Sequence, residues 1–383
     1  MASLALLILT AITGSLHGLG VVPIPEGSLH VQAGTLGWLT LAVLAIAALL
    51  FADGPPPPLL LVTWAPIVAM PLYAAAAWGG VDALEEAAAA IAFASAVGFI
   101  IGIAPAVRRV APLTVPQLAA LVAVVILATV PLLDLLPDVS RVGEADWVLF
   151  RIAGARTPSI AAFTVLAGMA LTEWRLAAPN RPASADVWGL AQVLLFVFGW
   201  LTLLVGTTAN SLDLLVSNVG FHGLAVAVFL ARVSPRLLWS GGHPWFSVGV
   251  LYLAAYVGLL GHVALEVMEG RYLELALVPA WVTFGVAHVV SVGVVANGLF
   301  GLGSGSLPIP RLVLWAMNIG LAGTALGLAV EVEPVSHTFA AMMGGGIVVG
   351  AATALYALRT RSAVLAMPPD EEPLAGVVRH RDE

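Results

Sequence analysis

Eight histidines and no cysteine set the coordination chemistry open to this chain. Neutral imidazole is a common axial ligand of haem iron and also binds copper and zinc. Without cysteine, the chain has no disulfides, thiolate metal sites, iron–sulfur clusters or covalently attached c-type haem. His17, His30, His222, His262, His288 and His337 fall inside or at the ends of long apolar runs, whereas His243 and His380 lie in polar stretches. Coordinating groups in hydrocarbon are expensive and mark functional positions. Taken singly, each of the six also fits the plainer role of an interhelical hydrogen bonder.

As a set they read as ligands of a b-type haem, with His30, His288, His222 and His337 as cofactor-binding candidates. His17 and His262 are candidates for a metal, copper being the second metal that such ligands accept. Two partners stand at helical spacing: Glu266 four residues after His262, and Asn218 four before His222. Each is placed either to orient an imidazole or to bond elsewhere. Glycines near most of these histidines, Gly34, Gly37, Gly223, Gly293 and Gly344 to Gly346, thin the helix walls as a flat macrocycle requires.

The elements that position these residues follow from composition. Of the 383 residues, 60% are hydrophobic and only 10% charged, with a mean hydropathy of +1.02. A water-soluble globule does not have this balance. Backbone groups in lipid must be satisfied within a helix or a closed barrel, and uninterrupted apolar runs of about 20 residues select the helix. The expected fold is all-α, a polytopic transmembrane bundle of about twelve helices. Its spans are approximately 3–22, 27–52, 58–78, 87–107, 115–136, 157–174, 187–208, 214–231, 245–268, 276–300, 309–330 and 336–358. Residues 1–360 form this bundle and 361–383 a disordered cytoplasmic tail.

All 15 basic residues other than histidine are arginine. With the N-terminus inside, Arg108, Arg109, Arg175, Arg181, Arg232, Arg236, Arg311, Arg359, Arg361, Arg379 and Arg381 fall on inner loops or the tail. Only Arg141, Arg151, Arg156 and Arg271 fall outside. That asymmetry predicts a multi-pass cell-membrane protein with both termini cytoplasmic. It also places all six intramembrane histidines in the outer half of the membrane. His222 and His288 stand about 8 and 12 residues into their spans, about 12 to 18 Å deep. The other four are nearer the rim, so one site or two remains open.

At His30 the sequence reads SLHVQAGTLGWLTLAVLA, which resembles the segment opening one helix of NnrS-type haem proteins and related proteins of the haem–copper oxidase subunit I group. AHVVSVGVVANGLFGL at 287–302 and LWAMNIGLAG at 314–323 resemble their histidine-containing helix and the Asn-Ile/Leu-Gly helix after it. The resemblance implies a subunit I-like bundle with haem held by His30 and His288. It does not extend to a binuclear oxygen-reducing centre. His288 is followed by Val289 and Val290 rather than by a His-x-His pair, and the sixth and seventh spans carry no histidine.

The leading expectation is a membrane-bound b-type haem protein acting in nitric oxide response or respiratory electron transfer. Its partners would be the bilayer and an electron-transfer partner in the membrane or beyond its outer face. The alternatives are a histidine-lined transporter of a transition metal or small solute, and a cofactor-free subunit of a respiratory complex. The net charge of -7 and the lack of a basic face exclude nucleic acid as a partner. A proton relay through lipid requires internal acids, and Glu173, Asp134 and Asp213 stand at span boundaries. Asn297 and Asn318, deep in their spans, read as interhelical glue.

Overall fold

The computed structural model describes residues 2–19, 21, 33–51, 68–69, 72, 82–110, 112–135, 156–176, 186–209, 211–239, 244–271, 278–304 and 311–365. Among these residues the chain forms eleven helices. In order they are α1 (Ala2–Gly18), α2 (a π-helical stretch Ala33–Leu39 running into Thr40–Phe51), α3 (Asp82–Val110), α4 (Val115–Asp134), α5 (Arg156–Leu176) and α6 (Val187–Ala209). There follow α7 (Leu212–Trp239), α8 (Pro244–Met268), α9 (Ala280–His288, then a π-helical Val289–Ala296, then Asn297–Ser304), α10 (Arg311–Ala329) and α11 (Glu333–Leu365).

Eight of these helices are long and apolar enough to cross a membrane, and α1 and α2 contribute shorter apolar stretches. The protein is thus a membrane-spanning all-α bundle. The expected span at 58–78 lies outside the described residues except for Val68, Ala69 and Leu72, which are helical. The connection 137–156 falls outside them up to residue 155, as does the tail beyond Leu365. The helix α11 continues past the expected tail boundary at 361, so the first residues assigned to the tail belong to the last helix.

Within the helical hairpins, register shows where glycine permits close approach. In the α10–α11 hairpin a β-carbon on Gly320, Gly323 or Gly327 would meet Met343, Phe339 or Ser336, and one on Gly346 or Gly350 would meet Met317 or Val313. Each pair sums to nearly the same number, the signature of antiparallel packing. The same holds for α6 and α7, where Gly189 faces Arg232, Gly199 faces His222 and Gly206 faces Leu214. Small residues let backbones approach in lipid, where dispersion replaces the hydrophobic drive.

At the centre lies α5. Every residue from 161 to 173 is buried, so this helix is covered on all sides. That accounts for its polar content: Thr164 and Thr172 donate to the carbonyls of Ile160 and Gly168 within their own helix. Parallel to it runs α9, with Gly168 against Val294 and Gly298 against Leu171. The bundle therefore has an arginine end, where α3, α5 and α7 finish, and an opposite histidine end, where α1, α6, α8 and α10 finish.

Candidate functional site

His288 closes the first α-helical part of α9, and the π-helical stretch begins at the next residue. Its Nδ1 lies 3.0 Å from the carbonyl oxygen of Phe284, and its ring stacks on Phe284 with centroids 4.0 Å apart and planes at 17°. A carbonyl only accepts, so Nδ1 carries the proton and Nε2 the lone pair. This is the anchoring that metal-ligating histidines commonly show.

A π turn displaces the regular i→i−4 ladder and is frequent at functional sites. Side chains supply donors along this part of α9. The Ser291 hydroxyl donates to the Ala287 carbonyl at 2.7 Å, and Asn297 Nδ2 donates to the Gly293 carbonyl at 2.8 Å. Tyr252 of α8 lies across Gly293, where a β-carbon would meet its ring, and its hydroxyl donates to the Asn318 carbonyl at 2.9 Å. One side chain thus ties α8, α9 and α10 together at the π segment. The only other π-helical stretch among the described residues, Ala33–Leu39, begins three residues after His30. His30 itself lies outside the described residues.

His222 is 3% exposed. Its ring lies against Gly199 of α6, where a β-carbon would be 2.7 Å from Cδ2 and 2.9 Å from Nε2, and beside Phe196 at a centroid distance of 4.8 Å. Nε2 of the ring is buried without a hydrogen-bond partner among the described residues. Asn218 Oδ1 is likewise buried without a partner, so the expected bond between Asn218 and His222 is not made.

His262 stacks on Trp281 of α9, with centroids 5.2 Å apart and planes at 28°. Glu266 Oε1 stands 3.9 Å from His262 Nδ1, beyond hydrogen-bond reach. Both Glu266 oxygens are engaged by Arg271, through Nη2 at 2.8 Å and through Nε. His337 is half-buried in the first turns of α11, and His17 is exposed at the end of α1.

All five described histidines occupy the same end of the bundle. Their immediate surroundings differ: His222 packs against α6, whereas His262 and His288 stack on aromatic residues of α9. Among the described residues no three His, Asp or Glu side chains gather into a metal-binding group.

Two polar clusters exceed what spacing suggests. Glu173 stands at a span boundary in the sequence yet is 2% exposed. Its carboxylate accepts from both Arg232 nitrogens, Nη2 at 2.6 Å and Nη1 at 3.3 Å, and Arg232 also reaches Gln192 at 2.8 Å and Asp186 at 3.0 Å. This network knots the ends of α5, α6 and α7. The second is Asn297 with Asn318, joined by two hydrogen bonds in the arginine half. A Gln or Glu inside an apolar helix was the available signal for the first cluster, since such a group needs a partner.

The chain matches no protein-family model and no curated protein.

Proposed function

We propose that this chain is a multi-pass cell-membrane protein that binds a b-type haem through His30 and His288, near the extracytoplasmic surface, and acts in nitric oxide response or respiratory electron transfer. The observation that carries the reading is at His288. Its Nδ1–H is held by the Phe284 carbonyl, its ring is held flat on Phe284, and the helix changes to π geometry at the following residue. A π stretch also begins three residues after His30. Two such departures from the α-helix, one directly after His288 and one three residues after His30, support a shared task for those positions.

The donor set fits a haem. An imidazole whose Nδ1–H is anchored presents Nε2 for axial coordination, and a cysteine-free chain suits non-covalent attachment. When bound, haem b supplies one-electron chemistry and an iron site for diatomic gases. The chain's own part is to hold and orient the ligand rings, to exclude water with its apolar helices, and to set the distance to a partner in the membrane or beyond its outer face. The arginine excess at the end opposite the histidines supports placing both termini in the cytoplasm.

A reduced-minus-oxidised spectrum of the purified protein tests the reading. The expected result is a b-type haem band, lost in His30→Ala and in His288→Ala and kept in His17→Ala. No haem absorbance, even after reconstitution, overturns it; solute uptake by haem-free protein in vesicles would then select the transporter.

A further inference from the structure

Five buried side-chain polar atoms have no hydrogen-bond partner among the described residues, and four of them sit on one helix pair. They are Gln192 Nε2 and Trp200 Nε1 on α6, and Asn218 Oδ1 and His222 Nε2 on α7. Gln192 belongs to the Arg232 network at the arginine end. The other three lie toward the histidine end. Asn218 and His222 are six and ten residues past Leu212, about 9 and 15 Å along α7. Trp200 follows Gly199, which touches the His222 ring, and packs in an outer cluster with Leu133, Leu203 and Leu215.

Such atoms are costly in an apolar interior, where nothing else meets their demand. We infer that the histidine end of the α6–α7 seam is a water-binding site that ends at His222 and is closed from the Arg232 network by Phe196 and Phe229. The hydrogen-bonding capacities match. His222 Nε2 has no partner among the described residues, and with the ring proton on Nδ1 it is an acceptor. Asn218 Oδ1 is also an acceptor, one helical turn away on the same face. A water has two hydrogens to give to two such acceptors. Both His222 at 3% and Asn218 at 7% exposure are too buried for bulk solvent to do this.

The seal follows from register. Because Gly199 faces His222 and Gly189 faces Arg232, residues 192–196 of α6 lie opposite 225–229 of α7. Phe196 and Phe229 are both 0% exposed, and Phe196 is packed against the His222 ring. Water that reaches His222 therefore enters from the histidine end. The site uses neither His30 nor His288 and stands or falls apart from haem binding.

Hydroxyl-radical footprinting of the full-length protein in nanodiscs, read residue by residue by mass spectrometry and corrected for intrinsic reactivity, tests it. Radicals formed from bound water attack their neighbours. His222 is expected to be modified several-fold faster than Phe163 and Phe229. In Asn218→Leu the His222 rate should fall while Phe229 stays unchanged, which also reports that the bundle is folded. Rates at His222 no higher than at Phe229, or unaltered by Asn218→Leu, overturn the site.

Discussion

Asn297 of α9 and Asn318 of α10 exchange a reciprocal pair of hydrogen bonds, Nδ2 to Oδ1 at 2.8 Å in one direction and 3.0 Å in the other. The second proton of each amide is used on its own helix, to the Gly293 carbonyl and to the Leu314 carbonyl, both at 2.8 Å. The pair therefore fastens α9 to α10 while meeting a carbonyl of the π segment. Replacing either residue by Leu leaves the other buried with unmet groups, at a cost of about 1–3 kcal/mol. The double variant is expected to lose less than the sum of the singles. Denaturant unfolding in detergent measures the cycle, and additive losses would show that the two amides do not act as a unit.

A close approach at Gly199 makes the second prediction. Its missing β-carbon is what lets the His222 ring lie on α6. Gly199→Ala forces the ring or the helix to move and should cost about 1–3 kcal/mol, the usual penalty of overpacking. Gly199→Ala combined with His222→Ala should recover part of that loss, because the obstacle is gone. Gly258→Ala, on a face of α8 with nothing near, should leave the melting temperature unchanged. Equal losses at Gly199 and Gly258 would show that the contact with His222 does not set the penalty, since helix propensity alone favours alanine at both.

The bundle itself was legible from composition and run length, because lipid permits few backbone solutions and helices of this apolarity have one destination. The inner position of α5 was not. Its run is more polar than the eight spans that are apolar enough to cross a membrane, but that alone does not say that neighbours cover all of its sides. Glu173 shows the same limit. The sequence places it only at a span boundary, whereas Arg232, 59 residues away, arrives from α7 to pair with it. Asn297 and Asn318 were legible as interhelical hydrogen bonders because amides deep in lipid have few other uses. Glu266 stands beside His262, Oε1 3.9 Å from Nδ1, as the i,i+4 spacing implies, and the spacing gave no sign that Arg271, five residues along, also engages the carboxylate. The π stretches were invisible, since Val, Gly and Ala runs carry no signature separating i→i+5 from i→i+4 bonding.

Glu173 and Asp186 both contact Arg232, yet their substitutions should differ. Glu173 is nearly enclosed, with a side chain 3% exposed, whereas that of Asp186 is 49% exposed. Glu173→Ala strands a guanidinium among buried groups and should destabilise by about 3–5 kcal/mol. Asp186→Ala removes a screened, rim-facing partner and should cost at most about 1 kcal/mol. Thermal unfolding of the two variants side by side checks the order. A loss at Asp186 equal to that at Glu173 would place the weight of the network at its rim.

Orientation can be read chemically because the chain is free of cysteine, so a single introduced thiol is the only one present. Asp213 and Arg175 are both exposed. Asp213 is in the first turn of α7, at the histidine end, and Arg175 is in the last turn of α5, at the arginine end. If the arginine excess fixes the topology, Asp213→Cys in intact cells reacts with a membrane-impermeant maleimide and Arg175→Cys does so only after permeabilisation. The reverse pattern would put the histidine end in the cytoplasm, and a haem held there by His30 and His288 would then face cytoplasmic rather than extracytoplasmic partners. Labelling of both sites from one side would show that the two ends do not lie across a bilayer, contrary to the antiparallel register of α6 with α7 and the shared direction of α5 and α9.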